Sequence, residues 1–351
     1  MLRRISRDTP GEWQERIEEE ARSDDERLGL RTAHPVWIIR ALRRALMAEG
    51  RVDELEALLE ADNVSPEVTL VALPGLAERG APERPYAPTA FGSPGGDPRQ
   101  IIAAAGGTVR VQDEGSQLVA LALAAAAPIA AGERWLDLCA GPGGKTALLA
   151  AIARQHDVTL EANEVIPARA GLVRKALKAV PGEVIVHEQD GRILTSAKTA
   201  QFDRILVDAP CTGLGALRRR PEARWRKTPA DVAQLAPLQE QLLAGALDAL
   251  KPGGIVAYVT CSPHLAETTG VITEVLRTRT DVTELDAGAV LNRVAEHPLD
   301  LASDGSGRVQ LWPHRHGTDA MFLALLQRTE SPERTKSPEP TESPKRKPKG
   351  E

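Results

Sequence analysis

From Gln112 onward, short apolar runs of strand character alternate with longer runs of helical character, and this alternation constrains the fold more than any other feature. The strand-like runs fall at Arg134–Leu138, Thr159–Asn163, Glu183–His187, Arg204–Val207 and Ile255–Thr260. Strands separated by helices imply an α/β fold around a mainly parallel sheet. In such a fold ligands bind outside the carboxyl ends of the strands. The residues that follow each run are therefore the ones to examine for chemistry.

Upstream the texture differs. Pro35–Met47 has apolar residues at helical spacing with a proline suited to a first turn. A second helix is expected at Val52–Ala61, a short strand at Val68–Leu73, and a loop across the Pro/Gly-rich run 74–98. The chain is thus expected to divide into a helical remnant or linker (1–29), a small α+β module of RNA-binding type (30–110), a catalytic domain (111–328) and a tail (329–351). The tail carries Ser-Pro at 331, 337 and 343 and ends in basic residues; such composition builds no core and is expected to be disordered.

The opening 22 residues are charged and contain no apolar leader, and the longest nearly uncharged run, Leu118–Ala131, is too short to cross a bilayer. A cytoplasmic location without membrane association is expected. Three scattered cysteines make neither a disulfide framework nor a CxxC zinc site, so no metal is expected and the thiols are left for packing or chemistry. A net charge of −5 opposes indiscriminate coating of nucleic acid but permits a local basic footprint.

The segment WLDLCAGPGGKTALLA (135–150) runs a strand into a glycine-rich turn and then a helix, bringing backbone N–H groups close to a ligand at a helix N-terminus. A phosphate-binding Walker loop needs glycine where Cys139 stands, and a dinucleotide fingerprint needs one at Thr146. A looser nucleoside-binding loop remains, with Cys139, Ala140, Gly141, Pro142, Gly143, Gly144 and Lys145 as its candidate contacts. Glu164 follows the second strand, where a carboxylate reaches ribose hydroxyls. Asp190 follows the third, suited to an adenine edge, and Asp208 ends the fourth. One acid at a strand end is commonplace, whereas a series at successive ligand-facing ends is not.

Cys211, in DAPCTG, follows the fourth strand, and Cys261, in TCSPH, follows the fifth. If those strands are neighbours, their backbones run roughly 4.8 Å apart and both thiols face one crevice. Two thiols beside a methyl donor suit methylation of cytosine at carbon 5. That carbon attacks poorly until a thiolate adds to carbon 6, and a second group must then help elimination. An ordinary thiol is mostly protonated at neutral pH, so the site must favour the thiolate, for which Lys145 is a candidate. Asp208 could accept from the exocyclic amine that uracil lacks. The residues alone leave the two cysteines interchangeable. Between 218 and 227, RRRPEARWRK holds six basic residues, which suggests that Arg218, Arg219, Arg220, Arg224 and Trp225 grip RNA.

LDLCAGPGGKT, DAPCTGLGALRRRPEARWRK and TCSPHLAET, with VQDEGSQLVALAL (111–123) and LWPHRHGTDAMFLA (311–324), resemble the Fmu/RsmB-type branch of the Sun-related RNA cytosine-5 methyltransferases. The resemblance covers about residues 30–328. It implies a Rossmann-like, seven-stranded S-adenosylmethionine methyltransferase sheet preceded by a small RNA-binding module. It puts the nucleophile on Cys261, release on Cys211, and methyl-donor contacts on Cys139–Lys145, Glu164, Asp190 and Asp208. It makes ribosomal RNA the expected partner and leaves protein partners unassigned. Members often carry a NusB-like helical domain first; MLRRISRDTPGEW looks like its last helix, so most of that domain is expected to be missing. A DNA cytosine-5 methyltransferase and a catalytically silent RNA-binding assembly factor are the competing readings.

Overall fold

The structure is a computed structural model that describes residues 9–302 and 305–329. The tail beyond 329, and the start of the segment likened to a NusB-like helix, lie outside the described residues.

Two sheets organise the chain. The smaller is antiparallel, in the order β2-β1-β3, from β1 (Thr69–Ala72), β2 (Ala90–Gly92) and β3 (Val109–Val111). The larger contains β4 (Arg134–Asp137), β5 (Thr159–Asn163), β6 (Ile185–His187), β7 (Phe202–Asp208), β8 (Leu250–Thr260), β9 (Val282–Leu285), β10 (Val309–Gln310) and β11 (Phe322–Arg328). Its order is β10-β11-β8-β7-β4-β5-β6, with β9 pairing along β11. Strands β6, β5, β4, β7 and β8 are parallel, and β11 returns antiparallel to β8. This is the mixed α/β, mostly parallel sheet that the alternation predicts, with an eighth strand added at its antiparallel edge.

Successive strand residues point to opposite faces, and the two cores follow that rule. Ile255, Ala257 and Val259 of β8 join Trp135 and Leu206 under the helices Glu114–Ala125 and Gly144–Gln155. Val256 and Tyr258 join Leu136, Ile205 and Val207 under the helix Pro229–Ala249. Both faces are covered, so β8 is apolar throughout its second half rather than alternating. The helix after the glycine turn is buried from Thr146 to Ala153, and its alanines allow the sheet to approach closely.

Expected boundaries shift where packing outweighs local pattern. The run 250–254 joins β8 because it pairs with β7, and the third parallel strand shortens to Ile185–His187. The Pro/Gly-rich run contains β2, whose signal is weak locally because its partner lies twenty residues away. Val52–Ala61 begins as a 3₁₀ turn and becomes α-helical only from Leu55. The segment 311–324 is mainly the turn and short helix between β10 and β11. The helices Val36–Ala48 and Leu55–Ala61 pack through Ile38, Leu42, Leu46 and Leu58 against Leu214, Leu217 and Trp312 of the larger unit. No helix among the described residues is long and apolar enough to cross a membrane.

Candidate active site

Strand order turns the scattered residues into one row. Reading across the carboxyl ends of β6, β5, β4, β7 and β8, the chain presents Asp190, Glu164, the glycine turn, Asp208 and Cys261 in that order. Cys211 lies in the turn after β7, directly beside Cys261.

The turn from Cys139 to Lys145 is shaped by two left-handed glycines, Gly141 (φ 56°) and Gly143 (φ 91°). A β-carbon on Gly143 would come within 2.9 Å of Val173 and Ala176, so both φ and space require glycine. The helix Gly144–Gln155 starts directly after it, directing unpaired N–H groups at the row of strand ends. Ala140 is buried, and Pro142 is exposed between the two glycines. Cys139 packs against the core under the helix Pro229–Ala249, and burial pushes its thiol well up, which suits an inert packing cysteine.

Glu164 is buried, accepts from the Ile166 N–H at 2.9 Å and lies 3.6 Å from Arg169. Beside it Val165 and Ile166 are exposed apolar side chains. Asp190 caps the helix Gly191–Ala197 and is bridged by Arg192, whose hydrogen bonds hold its carboxyl below the usual range. Asp208 accepts from Lys145 Nζ at 2.8 Å. Burial, the largest single influence, works against the Lys145 ammonium, but the charge and hydrogen bond of Asp208 together with Cys261 and Asp137 outweigh it, so the net shift is upward. Lys145 therefore stays charged close to Cys261.

The Cys211 and Cys261 sulfurs are 3.4 Å apart, both half-buried and both free thiols. The hydrogen bond to Cys261, with burial and that neighbour's charge, raises the Cys211 thiol well above its ordinary value. Cys211 accordingly keeps its proton and can donate it to the Cys261 sulfur.

Sequence reasoning missed the group that holds the two cysteine turns together. Glu267 is fully buried and accepts from the Thr212 N–H (2.8 Å), Thr212 Oγ1 (2.5 Å) and Ser262 Oγ (2.7 Å). Gln239 donates to Glu267 at 3.2 Å and to the Pro210 carbonyl at 2.8 Å. One carboxylate thus ties the residue after Cys211 to the residue after Cys261. Its position six residues beyond Cys261 was the available signal, but nothing local distinguishes it from a surface acid. Asp137 was also missed: it is fully buried at the end of β4 and accepts from Thr146 Oγ1 at 2.7 Å.

The basic loop requires correction. Arg218 is buried, bridging Asp113 and Asp319 at 3.0 Å each, and Arg219 binds the same two carboxylates at 2.5 and 2.8 Å. Arg224 is buried and donates to Asn63 Oδ1 and the Asp62 carbonyl. All three arginines bind groups of the protein itself, and Arg219 remains half-buried. Arg220, Arg226 and Trp225, the last 67% exposed, are the members that reach solvent.

The family model described as 16S rRNA methyltransferase RsmB/F matches residues 124–327. A Mycobacterium tuberculosis protein named as a methyltransferase is 51% identical over 305 residues, covering 84% of this chain and 64% of its own length. The ribosomal RNA small subunit methyltransferase B of Erwinia tasmaniensis is 31% identical over 315 residues, covering 84% of this chain and 66% of its own. This chain therefore spans about two thirds of the length of these relatives. A methyltransferase homologue from Pyrococcus horikoshii shares the fold, with TM-score 0.68 at 23% identity over 86% of this chain and 97% of that one.

Proposed function

Because this chain belongs to the RsmB/F family of 16S rRNA methyltransferases, we propose that it methylates carbon 5 of a cytosine in small-subunit ribosomal RNA, with Cys261 as the nucleophile. S-adenosylmethionine supplies the methyl group on its sulfonium. The residues present fit that donor: a glycine-shaped helix start for an anionic end, a buried carboxylate at the next strand for ribose, and exposed Val165 and Ile166 for an apolar ring.

The observation that carries the reading is the 3.4 Å contact of the two thiols beside the Lys145–Asp208 pair. Cys211 donates a hydrogen bond toward the Cys261 sulfur, Lys145 places a positive charge near it, and the Cys261 thiolate is the form that attacks. That thiolate bonds to carbon 6, which makes carbon 5 nucleophilic toward the sulfonium methyl. When the sulfur becomes bonded to carbon, its negative charge disappears, and with it one cause of the raised Cys211 pKa. Cys211 can then lose its proton to solvent and take the proton from carbon 5 as the Cys261–carbon bond breaks. Asp208, ion-paired and half-buried, is a hydrogen-bond acceptor suited to the exocyclic amine of cytosine.

Replacing each cysteine separates the roles. Cys261→Ala should form neither adduct nor product from bulk RNA and S-adenosylmethionine. Cys211→Ala should methylate, stall, and accumulate a protein–RNA adduct that survives denaturing electrophoresis. Adducts with Cys261→Ala instead would exchange the roles and favour the chemistry of a DNA-type enzyme. Full activity in both variants would end the covalent mechanism.

A further inference from the structure

Gln112 ends the short antiparallel sheet. Its backbone N–H donates to the Thr69 carbonyl, and its carbonyl accepts from Gln117 Nε2. The backbone is thus satisfied, yet the residue is only 7% exposed and neither its Oε1 nor its Nε2 is hydrogen-bonded to any group among the described residues. A buried primary amide left without partners is destabilising, and such a group in a folded protein calls for an explanation. Its location offers one. A β-carbon built on Gly144 would lie 3.7 Å from Gln112 Cδ and 3.8 Å from its Oε1. The amide therefore sits over the first residue of the glycine-turn helix.

We infer that Gln112 is a positioning residue that binds the amino-acid end of the methyl donor, its Nε2–H donating to the α-carboxylate and its Oε1 accepting from the α-ammonium. The inference rests on the proposed use of S-adenosylmethionine. It follows from the order of strand ends: a donor with its ring toward β6 and its ribose at Glu164 on β5 has its remaining portion at β4. There the helix N-terminus attracts an anion. A zwitterion needs both a donor and an acceptor, and a primary amide offers both from one neutral, planar head. A β-carbon at Gly144 would meet Gln112 at ordinary van der Waals distance, which places the amide within reach of a group bound at the helix start.

Ligands that differ only at that end provide the test. Affinities of S-adenosylhomocysteine and 5′-methylthioadenosine, which lacks the amino-acid portion, are to be measured by calorimetry on the wild type, Gln112→Ala and Gln112→Met. Both variants should lose roughly tenfold or more in affinity for S-adenosylhomocysteine and bind 5′-methylthioadenosine as the wild type does. Gln112→Met, which keeps the volume and removes the unpaired amide, should also raise the melting temperature of the ligand-free protein. Equal losses for both ligands, or no loss for either, would overturn the inference while leaving the cofactor reading intact. A wild type that fails to bind S-adenosylhomocysteine would remove the cofactor reading and this inference together.

Discussion

Asp137 illustrates how much a single buried acid responds to its surroundings. Burial raises its carboxyl from 3.8 to about 7, with the charge of Asp208 adding to the effect and Thr146 and Lys145 opposing it. Between those values the folded protein keeps a proton that the unfolded chain has released, so the stability this group supplies is full below about pH 4 and is lost as pH rises through about 7. Buried His316, held down to about 4, acts in the opposite direction over part of that range, so the informative quantity is the difference between two curves. Urea unfolding of Asp137→Asn from pH 4.5 to 7.5 should show a shallower fall, or a steeper rise, than the wild type. Parallel curves would mean that Asp137 is ionised throughout. The candidate site residues Cys211, Cys261, Asp208 and Glu164 could be picked out in the sequence because each lies at or just after the end of a strand-like run. Asp137 could not, since an acid inside an apolar strand shows its meaning only when the sheet covers it on both faces.

Among the elements, the loop from Gly213 to Lys227 departs furthest from its sequence appearance. Ten residues with six positive charges suggest one phosphate-binding strip, but the fold divides them by function. Arg218 and Arg224 are enclosed, and removing either strands the groups it satisfies. Arg218→Ala should therefore cost about 3 kcal/mol or more in urea unfolding, because it leaves buried carboxylates under-compensated. Arg220 and Arg226 are exposed, and replacing both by alanine should change stability by no more than about 0.5 kcal/mol. The same double variant should flatten the dependence of log K on log salt by about 1.4 for single-stranded RNA, at roughly 0.7 per lost phosphate contact. An unchanged slope would move RNA binding away from this loop. Asp113 and Asp319, which decide the outcome, lie 105 and 101 residues from Arg218 in the chain, so local charge density could not reveal them.

Across the whole molecule, the helices Val36–Ala48 and Leu55–Ala61 are joined to the cysteine-bearing unit by a shared apolar cluster rather than merely tethered to it. Leu42 and Leu46 meet Leu214 and Leu217, which lie only a few residues beyond Cys211, while Glu49 accepts from the indole N–H of buried Trp312. Leu42→Ala should cost about 2–5 kcal/mol, and unfolding followed by far-ultraviolet dichroism and by tryptophan fluorescence should remain coincident. A separate early transition would make the helices an independent unit. The alternation of strand and helix, the glycine turn between Arg134 and Gln155, and cysteines at two adjacent strand ends were determined by the sequence itself, because hydrophobic period and glycine conformation act between near neighbours along the chain. The tertiary structure alone decided that the two sulfurs approach to 3.4 Å, that one glutamate ties their turns together, that Gln112 covers Gly144, and that half of a basic loop faces inward. Each of these depends on groups far apart in sequence, whose pairing is set by how the layers pack and by the need to satisfy every charge that packing buries.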